Sequence, residues 1–429
     1  MTHILIRNGR VIDPSSQIDR VTDVYIHEGR IAALDKLEGF TPERTLDANG
    51  CLVLPGLVDL CARLREPGEE HKATIGSELQ AAARGGVTTV CVPPDTVPVI
   101  DTPAVVDLIE RRSHQLGLAN VHTLGALTQG LDGEILAEMD TLKAAGCLGV
   151  SNALAPVTST EVLRRAFEYG ASCKLPVFLY AEDAALRGRG VASEGPVSTR
   201  LGLPAIPETA ETVAISRALL LAEQTGARLH FCRVTTARAL EMLGAARERG
   251  QAVTADVGIA YLHLTDNALL AQNPNHHLRP PLRDAANREA LRQGLANGTI
   301  SAICSDHQPH DEDAKAGPFV ATQPGAATLE QFLALTLQLS SDAHQDLAGL
   351  LAAVTSNPAA ILGLPAGTLQ PGRTADVCIV DPAASWAVSA DDCASAGRNS
   401  PFNGHTLKGR VRYTIHGGQF SYDSDNPSP

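Results

Sequence analysis

The stretch Leu54-Pro-Gly-Leu-Val-Asp-Leu-Cys-Ala-Arg-Leu-Arg65 is an apolar run that ends in charged residues. It reads as a buried strand whose C-terminal tip opens into a site. Alternation along a strand puts positions 61, 63 and 65, here Cys61, Arg63 and Arg65, on one face. In a closed barrel of alternating strands and helices, such tips are where catalytic groups collect.

Outward from this stretch the same texture repeats. Strand candidates fall at 53–60, 87–93, 120–126, 147–151, 175–181, 228–234, 252–258 and 300–306. Most are followed by a helical pattern, as in Pro103-Ala-Val-Val-Asp-Leu-Ile-Glu-Arg-Arg. Glycine closes helices just before the next strand at Gly86, Gly117, Gly146, Gly226, Gly250 and Gly298, which suits a left-handed C-cap. Eight such units predict a (β/α)8 barrel over residues 53–364, ahead of an open doubly wound sheet. The flanks, 1–52 and 365–429, carry short alternating runs with turn residues and predict one small β-sandwich built from both termini. The His27-Glu-Gly-Arg30 step reads as a hairpin turn with Gly29 at positive φ. Residues 311–317 and the tail 423–429 are expected to be mobile.

Composition narrows the class further. With 429 residues, 44% of them hydrophobic, the chain buries a large core rather than staying disordered. A formal net charge of −13 argues against a nucleic-acid or anionic-membrane surface. No run approaches membrane-span length, and Met1-Thr-His-Ile-Leu-Ile-Arg turns polar too early for a signal peptide, so a cytoplasmic location is expected. The nine cysteines form no Cys-x-x-Cys pair and fall mostly in apolar runs, which predicts buried reduced thiols.

Over nearly its whole length the chain resembles the dihydroorotases of the amidohydrolase superfamily. The resemblance rests on Arg65-Glu-Pro-Gly, Gly85-Gly-Val-Thr-Thr-Val, Pro280-Pro-Leu-Arg, Asp306-His-Gln-Pro-His310, Pro324-Gly325 with Thr328-Leu-Glu330, Ser356-Asn-Pro-Ala359, Leu369-Gln-Pro-Gly-Arg-Thr-Ala-Asp376 and Ser400-Pro-Phe-Asn-Gly404. It implies a zinc site whose first strand ends in His-x-His-x-Arg, where this chain has Cys61, Arg63 and Arg65. The family's acidic residue after the fourth strand maps onto Ser151-Asn152-Ala153. Its fifth-strand histidine maps onto Tyr180, and its sixth-strand histidine onto Arg233. Asp306 is retained. Arginine is always cationic and has no lone pair for a metal, so no metal cofactor is expected. Asp95 stands where the family's carboxylate-binding asparagine would be, setting like charge against the substrate; Arg65 and Asp95 are thus vestigial substrate positions.

Other readings of single residues are plainer. His307 and His310 read as hydrogen-bonded structural histidines, and His276-His277 as solvated. Cys61 as a nucleophile needs a base that is not evident. Asp306 should pair with Arg63 or Arg233, because an unpaired buried carboxylate is costly. The resemblance therefore implies a pseudoenzyme with no catalytic residues of its own, a non-catalytic companion of aspartate carbamoyltransferase that also self-associates. Two rivals are a cyclic-amide hydrolase with a rearranged metal site (Cys61, Asp306, His307, His310) or none, and a protein that binds a pyrimidine intermediate without turnover.

Overall fold

The computed structural model describes residues 3–343 and 345–426, so residues 427–429 of the tail expected to be mobile lie outside it. Eight parallel strands run in sequence order: β1 (Leu57–Asp59), β2 (Val87–Val92), β3 (Asn120–Ala126), β4 (Gly149–Ser151), β5 (Val177–Leu179), β6 (Leu229–Phe231), β7 (Val253–Gly258) and β8 (Ala302–Cys304). Each pairs with the next. All eight lie at the expected places, because β-branched and apolar runs bounded by helix-closing glycines are a strong local signal. The six glycines named above all have positive φ, from 63° to 112°.

The barrel closes from β8 to β1 indirectly. At the mouth, Ala62 lies alongside His307; Arg63 N–H donates to the His307 carbonyl at 2.9 Å, and His307 N–H to that of Cys61 at 3.2 Å. Lower down, residues 353 and 354 bridge the seam, accepting from Ile303 N–H and Val58 N–H. Val58, Cys91, Leu124, Phe178, Cys232, Ala302 and Cys304 belong to one buried cluster contributed by the strands. Phe178, 1% exposed, gains about 2–3 kcal/mol from burial. It packs so near β4 that a Cβ on Gly149 would come within 2.7 Å of its ring.

The terminal segments form one eight-stranded sheet in the order Gln419–Asp423, Thr406–His416, Val377–Ala387, Leu52–Pro55, Ile4–Asp13, Ile18–His27, Arg30–Leu34, with Arg44–Asp47 also beside Ile4–Asp13. The sheet curls over, since Ile31 N–H donates to the Arg373 carbonyl at 2.9 Å, and it encloses its own core around Ile6, Val24, Ile31, Val377 and Ile415. The two layers expected of a sandwich are therefore continuous. The 27–30 hairpin turns through Glu28 and Gly29, both at positive φ.

The stretch read as one strand is two. Residues 53–55 pair antiparallel with the strand Val377–Ala387, and the barrel strand begins only at Leu57. Gly56 makes the crossing, where any Cβ would overlap the Thr88 side chain at 2.1–2.7 Å. The two segments expected to be mobile carry structure in part. Residues 312–315 form a helical turn anchored by Lys315, whose buried ammonium donates to the carbonyls of Gln323 (2.7 Å) and Gly325 (2.8 Å). Asp423 sits in a strand and pairs with Arg44 at 2.6 Å.

Candidate functional site

Four residues at the strand ends have left-handed backbones: Arg65 (φ 64°), Ala153 (47°), Arg233 (55°) and Asp306 (48°). Non-glycine residues adopt this conformation at a cost of about 1–2 kcal/mol, which packing around the mouth must offset. At Arg65 it ends the alternation. Cys61 and Arg63 both point to the mouth, whereas the Arg65 guanidinium donates to the Pro309 carbonyl (2.9 Å) and Glu69 (2.8 Å) and lies 3.1 Å from His310 Nε2. Arg65, expected to be a vestigial substrate position, is thus committed to its own loops.

At the centre, two guanidiniums surround one carboxylate and one thiol. Asp306 Oδ1 lies 3.5 Å from Arg233 Nε and 3.7 Å from Arg63 Nη1, and it accepts from Gln308 Nε2 at 3.0 Å. Cys61 Sγ accepts from Arg233 Nη1 at 3.0 Å and Arg63 Nη1 at 3.8 Å. Asp306 therefore has arginine counter-ions, as its retention required. Arg63 Nε also donates to Asp95 at 2.8 Å, so Asp95 neutralises an arginine of the mouth. Burial raises the Asp95 carboxyl, but Arg63 overcomes this and holds it below the usual range. Burial pushes Asp306 up to about 6 against the opposing pull of Arg233 and Arg63.

Burial pushes the Cys61 thiol up to about 12, with Arg233 and Arg63 offsetting only part of the effect. Thiolate is the reactive form, so a nucleophilic role has no support here. Iodoacetamide at pH 8 should leave Cys61 unmodified in the native protein and label it after unfolding. Labelling of Cys61 within minutes under native conditions, read by peptide mass spectrometry, would contradict this.

The remaining strand ends are knitted together by polar contacts. Asn152 accepts from Tyr180 N–H at 2.9 Å and donates to the Tyr180 carbonyl at 3.0 Å, joining the β4 and β5 tips beside Ala153. Tyr180 donates to Glu182 at 2.9 Å, and Glu182 pairs with Arg279 and Arg187. The guanidiniums of Arg233 and Arg279 lie 5.1 and 5.6 Å from the Tyr180 ring, within cation–π range. Two cavities flank the arginines, one lined by Tyr180, Cys232, Arg233 and Arg283, the other by Arg63, Arg65 and Asp95. Each is about 10 Å³, room for one water.

The histidines of the expected rearranged site are already engaged. His307 Nδ1 accepts from the N–H groups of Thr328 (3.1 Å) and Leu329 (3.3 Å), so its proton is on Nε2, donated to Glu78 at 2.6 Å. His310 Nε2 faces Arg65 and the Pro324 carbonyl, and burial together with Arg65 lowers its basicity to about 2. His277 is a correction: it is buried, bonded to Thr322 at 2.9 Å and against the Phe319 ring.

Deeper in the barrel, His230, Cys232 and Asp256 come within 4.8 Å of one another, a spacing that could hold a metal ion. His230 already uses Nδ1 with Thr254 and Nε2 with Asp256, both at 2.8 Å. Asp256 accepts Arg233 N–H at 2.6 Å on its other oxygen. Arginines at two family ligand positions, a thiol kept protonated by burial, and His230 and His307 with both ring nitrogens hydrogen-bonded do not fit the family's zinc, although His310 Nδ1 is buried without a partner.

Glu78, Lys315, Arg279 and the His230–Asp256 pair had no sequence signal of their own. Arg279 alone could have been suspected, because it precedes the Pro280-Pro-Leu-Arg283 motif.

A closed (β/α)8 barrel joined to a curled sheet from both termini, with its polar centre at the strand C-termini, defines the amidohydrolase class. L-hydantoinase from Arthrobacter aurescens has this fold, with a TM-score of 0.89, 25% identity and coverage of 100% of this chain and 98% of that one. A protein-family model described as dihydro-orotase-like matches residues 50–239. The chain is 47% identical to a dihydroorotase-like protein of Pseudomonas aeruginosa, over 98% of this chain and 99% of that one. It is 46% identical to a dihydroorotase-like protein of Pseudomonas putida (96% and 97%) and 44% identical to a dihydroorotase of Syntrophotalea carbinolica (98% and 99%). The chain belongs to the dihydroorotase-like family of the amidohydrolase superfamily.

Proposed function

We propose that this chain is a non-catalytic dihydroorotase-like subunit of cytoplasmic pyrimidine biosynthesis. Its role is to assemble with aspartate carbamoyltransferase, and with copies of itself, and to support that enzyme's activity. One observation carries the non-catalytic reading: Arg63 and Arg233 put two guanidiniums around Asp306 at positions where the family's metal ligands belong. A dication about 4 Å from a guanidinium is repelled by on the order of 8 kcal/mol at an effective dielectric of about 20. The full ring of strands, preserved around a mouth without ligands, supports a scaffold role, because most core substitutions destabilise and a core without use would not stay intact. Among the described residues no helix is long and apolar enough to cross a membrane.

The second reading is a working cyclic-amide hydrolase, favoured by relatives named dihydroorotase at 41–44% identity. Zinc content and turnover separate the two. Protein purified without chelator should contain well under one equivalent of zinc and leave dihydroorotate unhydrolysed at millimolar concentration. One tightly held equivalent, or turnover that survives repurification, would refute the non-catalytic reading.

A further inference from the structure

A cleft of about 950 Å³, far larger than the cavities at the mouth, lies between the barrel and the terminal sheet. Gln80, Arg84 and Leu118 form its barrel wall, and the strands Val377–Ala387, Thr406–His416 and Gln419–Asp423 form most of the other. Arg84 ends the helix Ile75–Arg84 and Leu118 lies just before β3, so the cleft is toward the barrel end opposite the mouth. Seams between structural units are where small-molecule sites tend to form.

Three guanidiniums line this cleft, Arg84, Arg410 and Arg412, together with two carboxylates, Asp381 and Asp423. The carboxylates are already engaged. Asp381 accepts from the N–H groups of Ala383 (2.9 Å) and Ala384 (3.1 Å), closing its own turn, and Asp423 pairs with Arg44 at 2.6 Å. Arg84 donates to the Asp392 carbonyl at 2.6 Å and lies 3.4 Å from Glu330, while Arg412 lies 3.7 Å from Asp425. Arg410 differs from both. It is exposed, and although Asp381 is its cross-strand neighbour, its side chain has no ion pair or hydrogen bond among the described residues.

The same walls supply apolar surface from Leu118, Ala384, Ala394 and Val411, and two rings, Phe420 and Tyr422. Phe420 has the Arg44 guanidinium 4.0 Å from its ring centre. The Tyr422 hydroxyl has no hydrogen-bond partner among the described residues. A guanidinium with unused N–H donors beside an aromatic and aliphatic wall matches one ligand class. We infer that this cleft binds a small organic anion, a flat ring carrying an oxyanion group. The ring lies against Tyr422 and the apolar wall, and the oxyanion accepts from Arg410, whose planar fork suits phosphate or carboxylate. This does not rest on the non-catalytic reading, because the cleft shares no lining residue with the cavities of the mouth.

The chain's one tryptophan provides the readout. The Trp386 indole N–H donates at 3.1 Å to the carbonyl of Gly409, the residue before Arg410. The full-length protein is titrated with phenyl phosphate, benzoate, inorganic phosphate and phenol, following Trp386 fluorescence and, independently, heat by calorimetry. Phenyl phosphate or benzoate should give a saturable change with Kd below about 5 mM, the range open to ligands of so few atoms. The tighter of the two identifies the oxyanion. Inorganic phosphate, without a ring, and phenol, without the charge, should bind at least fivefold more weakly.

Arg410→Gln should raise Kd at least tenfold, and Arg249→Gln, at another exposed arginine, less than twofold. Thermal melts of both variants should match wild type, since Arg410 has no side-chain partner to lose among the described residues. Tyr422→Ala should weaken phenyl phosphate or benzoate but leave inorganic phosphate unchanged. No saturable change with either ring-bearing anion up to about 20 mM overturns the site. Equal binding by wild type and Arg410→Gln also overturns it, and so does inorganic phosphate or phenol binding as tightly as the ring-bearing anions.

Discussion

Replacing Arg233 with methionine is expected to lower the unfolding free energy by about 3–5 kcal/mol at pH 7. The side chain is 3% exposed and touches Asp306, Cys61 and the face of Tyr180, so its loss strands a buried carboxylate with the more distant Arg63. Urea denaturation would show the loss as a lower midpoint at an unchanged slope. Adding Asp306→Asn to the same chain should recover most of it, because a neutral amide needs no counter-ion. The pH dependence has a definite sign. Asp306 is raised to about 6 in the folded protein against 3.8 in the reference state, so its ionised form costs stability. That cost is fully present above about 6 and is relieved as pH falls through 6 toward 3.8. Without Arg233 the group should titrate higher still, and the deficit of the single variant should shrink at pH 5. A loss below 1 kcal/mol, or one identical at pH 5 and pH 7, would show that the pair does not carry this energy.

The largest effect in the cell should come from deleting the gene. If the proposed scaffold role holds, carbamoyltransferase activity in extracts should drop sharply and the particle carrying the residual activity should lose mass, because permanent complexes bury large interfaces. Wild type and Cys61→Ser should restore both equally, since nothing in the role passes through the thiol. Full activity in a particle of unchanged mass would end the scaffold proposal. Restoration by wild type but not by Cys61→Ser, with both proteins folded, would point instead to chemistry at the mouth.

How much could be read without coordinates differs from element to element. The barrel was legible because its signals are local: four to eight apolar residues, a helical period, then a glycine that alone adopts the left-handed C-cap without strain. The altered strand-end positions were legible for a similar reason. Arg63, Tyr180 and Arg233 stand in stretches that still align with the family's motifs, so they could be matched one at a time. Asp306 needed a cation by simple electrostatics, and only two arginines were near enough in the motif pattern to supply it.

What the tertiary structure alone decided involves partners far apart in the chain or set by close packing. Glycine 56 ends one sheet and starts another because Thr88 leaves no room for a Cβ. His307 gives its proton to Glu78, 229 residues away, and its lone pair to the amides of Thr328 and Leu329. Arg65 leaves the strand face because its backbone turns left-handed, and Lys315 orders a polar loop by burying its charge among carbonyls. A local pattern reports which residue types a strand or helix tolerates. It carries no record of which distant donor meets which acceptor, because that choice is made when the barrel closes and each buried polar group must find a partner.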